Sequence, residues 1–212
     1  MQIYIGVDER QPVAFTALAT SIMWRSSEPV SITPLIIEQL PIKRRGLTSF
    51  TYSRYLVPWL MGYKGTALFL DADMLVTGDI AELFSLADPE YGVQVVKGSR
   101  RFEWPSLMLF NCEKCTRLTP QYIDSEVNHP QSLDWARVGG LPAEWNHCIG
   151  YDAPLAGDLA KLLHYTAGIP VFDQTIKLGH KDKWDEARKY ANSTVSWEDL
   201  MGTSVHTEVV NR

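Results

Sequence analysis

The sequence is poor in cysteine: it has three, an odd number, which makes no disulfide framework. It has no basic surplus either. The formal net charge is −5, which argues against a general nucleic-acid binder, since cations to displace counterions are in short supply. No apolar run approaches the roughly 20 residues that a bilayer-spanning helix needs, so no transmembrane segment is expected. Met1-Gln2-Ile3-Tyr4-Ile5-Gly6 lacks a basic stretch followed by an apolar one, so no secretory signal is read and a cytoplasmic location is the expectation. Repeats and low-complexity tracts are missing too.

What is there suits a globular chain. With 212 residues, 45% apolar and 21% charged, one domain with a core of useful size is predicted. Chemistry concentrates in Thr66-Ala67-Leu68-Phe69-Leu70-Asp71-Ala72-Asp73-Met74-Leu75-Val76. The short apolar run reads as a buried strand. Residues at i and i+2 of a strand share a face, so Asp71 and Asp73 converge if the extended geometry holds that far. Two unpaired carboxylates this close are costly to bury. A divalent cation relieves that cost, and hard oxygen ligands suit Mg or Mn. The bland alternative is a turn whose aspartates cap the next helix.

The rest of the chain is organised around that stretch. Gln2 to Val7 reads as a first, central strand ending at Asp8. Phe15, Leu18, Ala19, Ile22 and Met23 follow helical spacing. Val30 to Ile37 reads as a second strand, placed at an edge by Pro34. Strand, helix, strand implies a parallel unit with a right-handed crossover. Ligands then sit beyond the carboxyl ends of the strands, which gathers Val7, Asp8 and the aspartate pair at one rim. Lys43-Arg44-Arg45-Gly46 reads as a basic loop, most simply a solvated turn. Tyr52, Tyr55, Leu56, Trp59 and Leu60 share a helical face, with Pro58 predicted to kink that helix and Arg54 lying off the face. An arginine there can hold an aspartate or a phosphate by a bidentate contact, or be only a surface ion pair.

Asp79 is the expected cap of a helix starting at Ile80. Tyr91 to Val96 and Trp104 to Asn111 read as further strands, and Leu118 to Arg137 as partly helical. Cys112 and Cys115 have zinc-like spacing, but only Cys148, beside His147, could complete a site, so a buried loop is the favoured reading. Gly139 to Asn146 reads as a turn followed by an aromatic anchor. His164, after Leu162-Leu163 and before Gly168-Ile169-Pro170, is placed at another strand's exit. From Lys177 on, one or two helices are expected to pack on the domain.

Four further stretches fall in an order that resembles a known family. Leu68 to Ile80, with Leu83-Phe84, looks like the D-x-D segment of the glycogenin and lipopolysaccharide-galactosyltransferase group of retaining glycosyltransferases. Ile3 to Asp8 resembles that group's first strand, Thr51-Tyr52-Ser53-Arg54 its T-Y-x-R helix start, Leu141 to Asn146 its L-P-x-x-W-N, and His164 to Gly168 its histidine and glycine turn. The resemblance implies a GT-A fold, an α/β architecture with a twisted, mixed, mostly parallel sheet flanked by helices. Residues 1–100 would form the nucleotide-binding half, 101–175 the half that completes the acceptor and metal site, and 176–212 a C-terminal helical segment.

It further implies that Asp71, Asp73 and His164 bind Mn (or Mg), which bridges the diphosphate of a nucleotide sugar, most simply a UDP-sugar. Val7, Asp8, Tyr52, Ala72 and Gly168 would contact the nucleotide. Arg54 would brace the carboxylates and the sugar side, and Asp134 would lie near the sugar. The acceptor, whether glycan, lipid-linked or protein, stays open. One departure stands out. The family pattern H-x-x-G-x-x-K-P-W is here H-x-x-x-G followed by Ile169-Pro170-Val171-Phe172, with no lysine for the diphosphate. Lys43, Arg44, Arg45 or backbone N–H groups near Gly168 are the substitutes at hand. The other readings are a non-catalytic nucleotide- or glycan-binding relative and a phosphatase of the aspartyl-phosphate type, which also uses D-x-D. The phosphatase expects its motif near the N-terminus, with a threonine or valine where Leu75 stands.

Overall fold

Strand and helix patterns alternate from the start of the chain, and the backbone follows them. Strand β1 (Gln2–Gly6) runs through helix α1 (Pro12–Arg25) into strand β2 (Ser31–Leu35), parallel to β1. Pro12 opens α1, where its missing N–H leaves no helical bond unmade. The structure is a computed structural model and describes residues 1–155 and 159–205. The expected C-terminal segment is therefore seen only up to residue 205, with 206–212 outside the described residues.

Next comes a 3₁₀ turn, Ser53–Leu56, joined to a one-turn helix α2 (Val57–Leu60). Here the sequence reading needs correction. Pro58 lies in the first turn of α2, so it starts a helix rather than kinking one. The tighter 3₁₀ pitch also rotates the buried face. Tyr55, Leu56 and Val57 are fully buried, Arg54 is buried with them, and Trp59 is partly exposed.

Strand β3 (Thr66–Asp71) turns at Ala72-Asp73 into strand β4 (Met74–Val76). Helix α3 (Ile80–Ser85) follows, and the Asp79 carboxylate accepts from the Ala81 N–H as its cap. The remaining elements are β5 (Val93–Val96), β6 (Leu107–Asn111), α4 (Pro120–Asp124), β7 (Val138–Leu141), β8 (His147–Cys148), β9 (Leu162–His164), α5 (Lys181–Ala191) and α6 (Trp197–Met201).

Several expected boundaries move, among them that of β2, expected over Val30 to Ile37, and that of β5, expected from Tyr91. The strand expected from Trp104 starts only at Leu107, because Trp104–Ser106 belong to the 3₁₀ segment Arg101–Ser106 and Pro105 has no N–H for the ladder. Gly139-Gly140 lies inside β7 rather than in a turn. A Cβ at Gly139 would sit 2.6 Å from the Tyr91 ring, so glycine lets that ring cover the strand.

One sheet has the order β2-β1-β3-β6-β5-β7, in which β6 runs antiparallel to both neighbours and the other pairings are parallel. It passes through the expected divide at residue 100, since β6 and β7 belong to the same sheet as β1. A smaller sheet has the order β4-β9-β8. Strand alternation splits the core into two layers. Ile3, Ile5, Leu68 and Leu70 face α1, α5 and the small sheet. Tyr4, Ala67 and Phe69 face Tyr55, Leu56 and Trp135.

Helix α5 closes the first layer over α1. Trp184 is fully buried there, whereas Trp24 stacks on Tyr190 near the surface, with ring centroids 4.3 Å apart. Trp184→Ala should cost about 3–5 kcal/mol in urea denaturation, and Trp24→Ala about 1.5 kcal/mol or less. Equal losses would mean that Trp184 does not anchor α5.

Candidate active site

The alternation that builds the core also delivers the first site residue. Phe69 and Asp71 point to one face of β3. Arg54 lies over the Phe69 ring, 5.1 Å from its centroid, and its Nη2 sits 2.9 Å from Asp71 Oδ1. The guanidinium also donates to the Phe50 and Pro105 carbonyls, so each of its three nitrogens helps to hold this corner. Gly6 is glycine because Phe50 crosses it; a Cβ there would fall 2.3 Å from Phe50 Cβ.

Extended geometry does not hold as far as Asp73. The chain turns instead, and the small sheet brings the partner. In the β4–β9 ladder Met74 pairs with His164, and the Tyr165 N–H donates to the Asp73 carbonyl at 2.9 Å. His164 therefore arrives beside Asp73, with Nε2 3.5 Å from Asp73 Oδ1. One ligand atom from each of Asp71, Asp73 and His164 lies within 4.8 Å of the others. Asp71 Oδ1 and Asp73 Oδ1 are buried without an aligned hydrogen-bond donor.

A chain of hydrogen bonds sets the imidazole tautomer. The Ser106 hydroxyl donates to the Glu103 carbonyl, so Ser106 Oγ accepts from Asn146 Nδ2 at 2.9 Å. The amide oxygen of Asn146 then faces His164 Nδ1 at 3.0 Å, which makes Nδ1 the donor. The Nε2 lone pair is left for the carboxylate side, the arrangement a metal-binding histidine uses. Two carboxylates and an imidazole so presented fit a hard divalent cation.

Electrostatics agree with that fit. Burial pushes the Asp71 carboxyl up to about 7, against the lowering pull of Arg54, and Asp73 and Glu103 push it further. Burial works to lower the His164 pKa, but the Asp73 carboxylate outweighs it and holds the imidazole well above its ordinary value. Without a cation, protons take the place of positive charge here.

These groups open onto a cavity of about 820 Å³ lined by Tyr52, Arg54, Asp71, Asp73 and His164, as expected, and also by Arg101, Phe102, Glu103, Gln131, Ser132 and Thr166. Phe102 and Leu47 stand at its rim, 74% and 94% exposed. Other expected residues are not brought to the cavity wall. Asp134 is exposed, and its carbonyl accepts from Arg117; the further carboxylate in the wall, beside Asp71 and Asp73, is Glu103. The Ala72 side chain packs into the core layer of α1. Gly168 has φ +118°, and its N–H already donates to the Tyr165 carbonyl at 2.7 Å. Asp8, at the end of β1 after Val7, is held by Arg10 through contacts of 2.9 and 2.6 Å, which pull its carboxyl below the usual range.

The basic loop is structural. Arg44 staples the carbonyls of Ile123, Ser125 and Asn128, and Arg45 binds those of Ile42 and Arg44. Cys112 and Cys115 are buried, and burial pushes both thiols up to about 12. Among the described residues neither belongs to a cluster of metal-binding side chains.

Sequence reading missed Glu103, Arg101 and Thr166, and gave Asn146 no role. The available signal was charge embedded among aromatics in Arg100-Arg101-Phe102-Glu103-Trp104, directly before an apolar strand.

Comparison with known proteins now decides the family. The profile of glycosyl transferase family 8 matches residues 6–129, more than half of the chain. This chain belongs to glycosyl transferase family 8. The family comprises retaining enzymes of the GT-A fold, so the chain is a glycosyltransferase and the phosphatase reading is set aside. Protein CDI of Arabidopsis thaliana is 31% identical over 89% of this chain and 86% of that protein. Glycosyltransferase GlyB of Streptococcus pneumoniae is 23% identical over 81% of this chain, which spans 49% of GlyB. Among solved structures, the glycosyltransferase GlyE of Streptococcus pneumoniae superposes with TM-score 0.65 at 20% identity, over 94% of this chain and 62% of GlyE. The galactosyltransferase LgtC, solved with donor and acceptor sugar analogs, gives TM-score 0.61 at 12% identity, over 94% of this chain and 99% of that one. These structural likenesses carry the fold.

The raised Asp71 pKa has a stability consequence. A carboxyl held above its ordinary 3.8 contributes stability that is present below that value and lost as pH rises through about 7. The raised His164 acts in the same direction. In metal-free protein the melting-temperature advantage of wild type over Asp71→Asn should be larger at pH 5 than at pH 8. An advantage independent of pH would show that Asp71 titrates normally.

Proposed function

We propose that this chain moves a sugar from a nucleoside-diphosphate sugar, a UDP-sugar first among them, using Mn²⁺ or Mg²⁺ held by Asp71, Asp73 and His164. The observation that supports it is the meeting of two buried carboxylate oxygens without aligned donors and an imidazole nitrogen presented by its tautomer, all at the wall of a ligand-sized cavity. The acceptor is a glycan, a lipid-linked sugar or a protein, and the cavity does not choose among them.

A divalent cation, when bound, offsets the negative charge that develops on the departing diphosphate. The protein's own groups do the rest. Arg54 keeps Asp71 in place, and Asn146 keeps His164 aimed. Val7, Asp8 and Tyr52 are assigned to the nucleoside, with Asp8 sharing or exchanging its Arg10 contact, and Ala72 to contact through its main chain. Arg54 and Arg101 are the arginines of the cavity lining. Arg54 holds Asp71 and two carbonyls, whereas among the described residues Arg101 holds only the Ser132 carbonyl, so Arg101 is assigned the phosphate role that the family gives to a lysine. Glycosyl transfer passes through an oxocarbenium-like state. Glu103, in the cavity wall, is assigned to that positive charge in place of Asp134. The departing phosphate oxygen accepts the acceptor's proton, so no protein nucleophile is needed.

Thermal unfolding with UDP, with Mn²⁺ and with both tests the assignment. Both together should raise the melting temperature, by about 2.7 kcal/mol of added stability at 100 times Kd, and neither alone should match them. Asp73→Asn should abolish the joint shift and slow UDP-sugar hydrolysis about 10²-fold or more. Asn146→Ala should weaken Mn²⁺ binding about 10- to 100-fold. An Asp73→Asn protein that keeps both the shift and hydrolysis would overturn the site.

A further inference from the structure

The other side of the His164 ring faces two further donors, Glu103 and Cys148, and the proposed transfer gives Cys148 no role. In the small sheet β8 runs parallel to β9, and Cys148 is the register partner of His164. Their side chains therefore stand on the same face, with Cys148 Sγ 3.7 Å from His164 Nδ1. Glu103 Oε2 lies 3.8 Å from the same nitrogen, and Glu103 Oε1 accepts from the Thr166 hydroxyl at 2.6 Å. One ligand atom from each of Glu103, Cys148 and His164 lies within 4.8 Å of the others. Tetrahedral zinc with ordinary bond lengths separates sulfur and nitrogen ligands by about 3.5 Å, and nitrogen and oxygen ligands by about 3.4 Å. The observed separations are within a few tenths of an ångström of those. Cys148 and Glu103 also border a second, smaller cavity of about 110 Å³. At about 30 Å³ per molecule, that cavity has room for a water as fourth ligand.

The geometry points to a second metal site, selective for thiophilic cations such as Zn²⁺ or Cd²⁺, that competes with the proposed Mn²⁺ site for His164. The competition follows from the ring itself. A neutral imidazole has one lone pair. A hard cation beside Asp71 and Asp73 needs it on Nε2, with the proton on Nδ1 facing Asn146. A cation beside Cys148 and Glu103 needs it on Nδ1, so the proton must move to Nε2. Binding at the second site breaks the Cys148 S–H bond, forms a metal–sulfur bond and releases one proton to solvent, with no change of oxidation state. It also gives up the Asn146 contact to Nδ1. The hard-cation site is then left with two carboxylates and an N–H where its third ligand stood. The competition rests on the metal assignment made above for Asp71, Asp73 and His164; the soft-metal site itself does not.

The test titrates the full chain with Cd²⁺ while following thiolate-to-metal absorbance, and follows Mn²⁺ by electron paramagnetic resonance in the same samples. Wild type should gain the absorbance and release Mn²⁺ as it does. Cys148→Ser should lose the band and hold its Mn²⁺ through the same titration. Glu103→Gln should keep the band but bind Cd²⁺ about 10-fold or more weakly, which covers the case of a poorly folded serine variant. An equal band in wild type and Cys148→Ser would assign the ion to Cys112 or Cys115 and overturn the site. Simultaneous binding of Cd²⁺ and Mn²⁺ would overturn the competition. If wild type binds no Mn²⁺ even before Cd²⁺ is added, the functional reading fails, and the band difference between wild type and Cys148→Ser still decides the second site.

Discussion

The ladder between β4 and β9 is the constraint on which the site depends. Asp71 and Asp73 are near neighbours in the chain, but His164 comes from far along it. What joins them is main-chain pairing: Met74 opposite His164, and the Tyr165 N–H on the Asp73 carbonyl. Side chains alternate along a strand, so a slip of one residue would turn His164 to the other face and present Leu163 or Tyr165 instead. Leu162 and Leu163, fully buried in the layer beneath α1, oppose such a slip. The hydrophobic pattern that stabilises the small sheet is therefore also what aims the imidazole.

Much of this was legible in the sequence, for reasons that can be named. The run from Thr66 to Asp71 is apolar and β-prone, and it became a fully paired strand between β1 and β6. Asp79 capped the helix it was expected to cap. Pro34 marked the edge strand. These are local signals, each contained within a few residues. The convergence of Asp71 and Asp73 was expected from an extended chain and is made by a turn at Ala72, so the outcome agrees while the route differs.

The misses share a different cause: they depend on contacts between distant segments. Arg54 holds an aspartate as expected, but its burial was not legible: helical spacing puts it off the buried face, and the 3₁₀ pitch of Ser53–Leu56 turns it inward to Asp71. Arg44 looked like a surface charge, but three carbonyls of the segment from Ile123 to Asn128 consume it. Glu103 carried no motif. It matters because Ser106 and Asn146 tie its backbone to the imidazole, and because a 3₁₀ segment turns its carboxylate into the cavity wall. Asp134, picked by its place in the order of motifs, faces solvent beside Arg117.

The balance of charge around His164 explains why the site cannot be understood as a simple ion pair. Asp71, Asp73 and Glu103 bring three carboxylates to one region, and Arg54 is the guanidinium paired with them, through Asp71. A buried Arg–Asp pair by itself roughly offsets its desolvation cost. Adding two more carboxylates tips that balance toward protonation, which is the direction taken by both Asp71 and His164. The arrangement also keeps the imidazole between two different donor sets, the Asp73 carboxylate on one side and the Cys148 thiol with the Glu103 carboxylate on the other.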